Sequence, residues 1–187
     1  MTFKAFSLFL LSLILISCAE AQSPNHNATD FPAPDTTLEA ETIPEPENVN
    51  YERYYNSRFD YSVIYPVDLL EIQEAPTNND GRRFVAPDNR VEMVVYGSHN
   101  SLERDLDELY QEYLGREDAN TEITYRDRGD NWFVVSGYDN NGDEVFYNKI
   151  VLQDGVIIIL ELRYDAALQS QFDPIVADIS RSLQVSN

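Results

Sequence analysis

The chain has 187 residues, 43% of them hydrophobic and 25% charged, with a formal net charge of −20. That sign excludes nucleic acid as a partner and direct adsorption to anionic lipid. One cysteine and two histidines leave no disulfide framework and no thiolate metal site.

The N-terminus reads as an export signal over residues 1–17. Lys4 supplies a positive start, and Ala5 to Ile16 is an apolar run broken only by Ser7 and Ser12. The run is too short for a membrane-spanning helix and suits a signal h-region. It ends in Leu15-Ile16-Ser17-Cys18, which resembles the lipobox of bacterial lipoproteins. The resemblance implies cleavage before Cys18 and lipid on its thiol. Ala19, in place of an aspartate, implies sorting to the outer membrane, facing the periplasm, in a host with two membranes. The membrane is thus an expected partner through the lipid anchor, and the bacterial cell envelope the expected location.

Residues 18–50 join Cys18 to a tether. Ala19 to Asn50 holds five of the nine prolines and seven acidic residues, with no lysine or arginine. Such a stretch cannot bury enough apolar surface to offset chain entropy, so an extended, disordered linker is expected. Fully stretched it would reach on the order of 100 Å.

Residues 51–187 suit one domain. They hold 26 of the 33 acidic residues and 12 of the 13 basic ones, a net of −14. Tyr61, Val63 and Tyr65 alternate on a strand ending at Pro66, and Leu69 to Glu74 reads as another. A turn at residues 77–81 leads to a hairpin of Arg82 to Ala86 and Val91 to Tyr96. A helix follows from Ser101 to Leu114, capped by Asn100 with Glu103 three residues on, and closed by Gly115. Leu102, Leu106, Leu109, Tyr110 and Tyr113 form its apolar face. Further strands are expected at Ile123 to Asp127, Trp132 to Tyr138, Val145 to Leu152 and Val156 to Tyr164, the last two joined by Asp154-Gly155. Asp173-Pro174 starts a closing helix that buries Ile175, Val176, Ile179 and Leu183. Hairpin-length turns predict an α+β fold, with a largely antiparallel sheet and packed helices.

The segment Asn56 to Pro66, then Gly81 to Phe84, Trp132 to Gly137 and Tyr147-Asn148-Lys149, resembles Mog1/PsbP-like domains in composition and order. The resemblance implies an α/β sandwich. Members are accessory or binding proteins of photosystem assemblies or of a small GTPase, and no motif here carries those partners over.

Catalytic chemistry finds little material. His99 stands alone in a turn, without a Gly-x-Ser-x-Gly elbow. There is no phosphate loop or dinucleotide fingerprint, so no cofactor is expected. Asp139, Asn141 and Asp143 have the opening spacing of a calcium loop, but Gly142 comes two places early and Ile150 stands where a bidentate Glu is needed. A hairpin turn accounts for the same residues. Arg82-Arg83 is a candidate anion site or a balanced strand pair. Glu103, Asp105, Asp107, Glu108 and Glu112 read as a solvated helix face, although paired carboxylates would serve a hydrolase. Tyr54, Tyr55, Phe59 and Tyr61 are the candidate ligand surface, with core packing as the alternative. The expectation is a non-enzymatic domain that binds another envelope protein, or alternatively a small ligand or cation.

Overall fold

A computed structural model describes residues 49–186. The expected signal, Cys18 and the tether as far as residue 48 lie outside the described residues. The described residues begin two before the expected boundary. Val49 packs on the core, and the Asn50 side chain donates to Asp68 at 2.7 Å.

Ten strands and two helices follow: β1 (Tyr51–Asn56), β2 (Tyr61–Pro66), β3 (Glu71–Ile72), β4 (Gly81–Val85), β5 (Val91–His99), α1 (Leu106–Leu114), β6 (Glu122–Arg128), β7 (Trp132–Asp139), β8 (Glu144–Gln153), β9 (Val156–Asp165), α2 (Gln169–Ser182) and β10 (Gln184–Val185). Seven strands form one sheet in the order β3-β4-β5-β9-β8-β7-β6, and β1-β2-β10 form a second. Every pairing is antiparallel. The α+β expectation is met.

Alternation along the strands divides the core between the two faces of the large sheet. Val145 and Val151 of β8 and Ile158, Leu160 and Leu162 of β9 face the small sheet and α2. Phe146 and Ile150 of β8 and Ile157 of β9 face α1, with Phe133 and Val135 of β7. Two buried faces explain why these strands read as nearly continuous apolar runs. The β8–β9 turn has φ 50° at Asp154 and 74° at Gly155, the left-handed pair that matches strand twist.

Local signals misled at four places. Tyr51–Asn56, where no strand was expected, is a strand in register with β2. The Leu69 to Glu74 strand shrinks to Glu71–Ile72. Helix α1 starts at Leu106, since Asp105 and Glu108 form a reciprocal capping box. Asn100 instead brackets Arg104, accepting from its N–H at 3.1 Å and donating to its carbonyl at 2.7 Å. Glu103 has φ 51°, incompatible with a helix, and Leu102 is 77% exposed. Helix α2 begins at Gln169, which puts Pro174 inside it. A 3-10 turn at Ala166–Leu168, where Asp165 accepts from the Ala167 N–H at 2.8 Å, feeds directly into the helix.

Among the described residues no helix is long and apolar enough to cross a membrane.

Candidate functional site

Helix α2 packs on β2, β9 and β8. It leaves the β6–β7 end of the same sheet face uncovered, because the second layer is narrower than the sheet. The resulting groove has a volume of about 590 Å³. Strand alternation sets its floor in cross-strand rows: Asp127, Val134 and Lys149 form one, and Tyr125, Ser136 and Tyr147 the next. Trp132 and Tyr138 extend the floor at either end of β7, while Gln169, Asp173, Ala177 and Ser180 of α2 form the wall.

Four polar links hold the helix at this offset. Tyr138 donates to Gln169 at 3.0 Å, and Tyr164 to Asp173 at 2.7 Å. The Tyr147 and Ser180 hydroxyls share a hydrogen bond of 2.7 Å, and Lys149 Nζ donates to the Ser180 carbonyl at 2.7 Å. Ser180 lies in the last turn of α2, where carbonyls lack intrahelical donors and a cation is favoured. Burial pushes the Tyr147 and Tyr164 hydroxyls up, joined at Tyr164 by the Asp173 carboxylate, so both stay neutral phenols. Burial pushes the Lys149 amine down from its ordinary 10.5.

Ser136 Oγ is committed to the Phe146 carbonyl at 2.7 Å, and no histidine lines the groove. Rings, an indole and an ammonium offer stacking surface and hydrogen-bond donors. Among the described residues no group of three or more His, Cys, Asp or Glu could hold a metal ion.

The candidates from sequence lie elsewhere. Tyr54, Phe59 and Tyr61 are in the core, so for these three of the four candidate ligand-surface residues the core-packing alternative holds. Buried Asn56 fixes Tyr54 and Phe59. Its Oδ1 accepts from the Arg58 and Phe59 N–H groups at 3.0 Å, and its Nδ2 donates to Tyr54 Oη at 3.0 Å. Only Tyr55, 56% exposed, presents its ring to solvent, its hydroxyl on Asp60. His99 is exposed and tilts against Phe59. Asp139 and Glu144 both hold Arg163, at 2.6 and 2.9 Å, so a guanidinium already stands where a divalent cation would approach Asp139. Asn141 and Asp143 belong to the β7–β8 turn. Alternation splits the arginine pair: Arg83 pairs with Glu92, and Arg82 lies 5.7 Å from the Tyr54 ring centroid. The groove residues were missed. Period-two spacing of Trp132, Val134, Ser136 and Tyr138 was the available signal.

Both sides of α2 titrate in alkali. Tyr51 donates to Asp178 at 3.2 Å, and burial together with that carboxylate lifts its hydroxyl from 10.0 to about 12. A raised native pKa gives stability that is complete below the unfolded value and is lost as pH rises through the native one. Tyr51, Tyr147 and Tyr164 should therefore cost stability as pH climbs from 10 toward 12. Lys149, shifted down, acts with the opposite sign and gains as pH approaches 10.5. Urea midpoints across this range should fall for the native chain, and less steeply for Tyr51→Phe.

No protein-family model matches the sequence, and no curated protein matches it. Among solved structures the fold is similar to cyanobacterial PsbP (CyanoP) from Synechocystis, at 12% identity and a TM-score of 0.56, covering 79% of this chain and 99% of that one. A Bacteroides thetaiotaomicron protein is 10% identical with a TM-score of 0.49, over 73% of this chain and 48% of its own length. A Pseudomonas aeruginosa protein of unknown function is 9% identical with a TM-score of 0.47, over 74% of this chain and 99% of its own. The first likeness shows the fold, which is Mog1/PsbP-like.

Proposed function

We propose that this chain is a lipid-anchored protein of a bacterial envelope whose Mog1/PsbP-like domain is a non-enzymatic module, binding another envelope protein through the groove between α2 and β6–β8. The anchor rests on the order of positive charge, apolar run and Cys18. The binding role rests on one observation, a preformed groove walled by rings and hydroxyls that hydrogen bonds already hold in place. Preorganised aromatic surface loses little entropy on association. A second reading, small-ligand binding, draws on the volume of about 590 Å³, which falls within the range of small-molecule sites.

A photo-crosslinking amino acid placed at Tyr125 or Tyr55 in living cells tests the proposal, since both side chains are exposed, at 51% and 56%. A discrete protein adduct should form from position 125 and not from 55. Adducts from neither position, or equally from both, would contradict it.

A further inference from the structure

Lys149 is the only lysine after Lys4, in a domain with a net charge of −14. Among the described residues eight arginines stand within ion-pair distance of a carboxylate, and Lys149 does not. Its ammonium has three N–H donors. One goes to the Ser180 carbonyl, and Nζ stands 5.3 Å from the Trp132 ring centroid. The side chain is half-buried on the groove floor, between Val134 and Leu160 in its cross-strand row. A cation taken out of water without an anion is costly, and a carboxylate arriving from outside relieves that cost.

The form of the groove points to what delivers the carboxylate. It opens across β6, the edge strand of the sheet, whose outer side pairs with no strand among the described residues. An extended chain entering over such an open edge can lay its side chains on the groove floor. Resting on the groove reading above, we infer that the occupant is an acidic peptide segment of a partner protein, which seats an Asp or Glu carboxylate on Lys149 Nζ and packs an adjoining apolar residue on Trp132.

Selection of a random-peptide display library against the full chain in detergent tests this, with Lys149→Met, Lys149→Arg and Tyr125→Ala as comparisons. Lys149→Met keeps the aliphatic stem and removes the charge. Thermal unfolding of each variant reports its fold. Selected peptides should carry an acidic residue beside an apolar one, and should bind Lys149→Met about tenfold more weakly. Lys149→Arg should retain most of the affinity. The Lys149 side-chain NMR resonance, assigned by its loss in Lys149→Met, should titrate at higher pH once peptide is bound.

Peptides that need Tyr125 yet bind Lys149→Met undiminished would overturn the carboxylate inference and leave the groove reading standing. Failure to select any peptide, or selection of peptides indifferent to Tyr125 and Lys149, would overturn both. If Lys149 in the free chain already titrates above an ordinary lysine, an acid of this chain holds it and the partner segment is excluded.

Discussion

Replacing Phe133 by alanine should cost the domain roughly 3–5 kcal/mol, the largest single loss expected in the fold. Phe133 has no solvent exposure and joins β7 to the core beneath α1. Tyr110 and Tyr113 approach it edge-on, with ring centroids 5.2 and 5.5 Å away. Such pairs add roughly 0.5–1.5 kcal/mol to the burial term. Helix α1 has nine residues, too few to hold its shape without this packing. A cavity under it should therefore loosen α1 as well as lower the urea midpoint. Domain stabilities are roughly 5–15 kcal/mol, so the variant should stand near its unfolding threshold at 37 °C. The groove lies on the opposite face, and its Trp132 fluorescence below the transition should match that of the native chain. A loss under about 1 kcal/mol would mean that α1 contributes little to the fold.

Replacing Cys18 by serine should release the protein from the membrane altogether. On the proposed anchoring, each buried methylene contributes about 0.8 kcal/mol, and one acyl chain alone binds only reversibly. Two or more chains on the same residue hold the protein durably, and serine in place of the thiol removes them together. Sedimentation of envelopes should move the chain from the membrane pellet to the soluble fraction. Intact mass of the native protein should show the added acyl chains and the loss of residues 1–17. Retention of Cys18→Ser in the pellet, or a native mass without lipid, would contradict the anchor.

The parts of the fold legible in sequence were those where local pattern and tertiary environment agree. β7, β8 and β9 are buried on both faces and separated by turn residues, so their apolar runs marked them to within about a residue or two. β1 escaped because only Tyr54 and Asn56 of its six residues are buried, too little alternation to show a strand. At α1 two capping boxes compete, Asn100 with Glu103 and Asp105 with Glu108. The choice falls to the second because the Asn100 N–H donates to the Gly155 carbonyl at 2.8 Å, pinning it to the β8–β9 turn. Asp173-Pro174 imitates a helix start, yet Asp173 turns to Tyr164 and the helix accommodates the proline.

The candidate site was less legible for a related reason. An aromatic cluster in sequence does not reveal whether its rings point into a core or out of it. Tyr54 and Tyr61 close the space between the two sheets, whereas Tyr138 and Tyr147 line a groove set by how far α2 lies across the sheet. That offset is a tertiary quantity, fixed by hydrogen bonds between residues some thirty apart in sequence.

Hydrogen–deuterium exchange tests the central claim most directly, comparing the chain captured with its native envelope membranes and the same chain purified in detergent. The edge strand β6 and the groove-facing turns of α2 should exchange more slowly in the envelope, while β1, β2 and β10 exchange alike in both. Unchanged exchange in β6 and α2, or protection confined to the small sheet, would contradict a binding module that works through this groove.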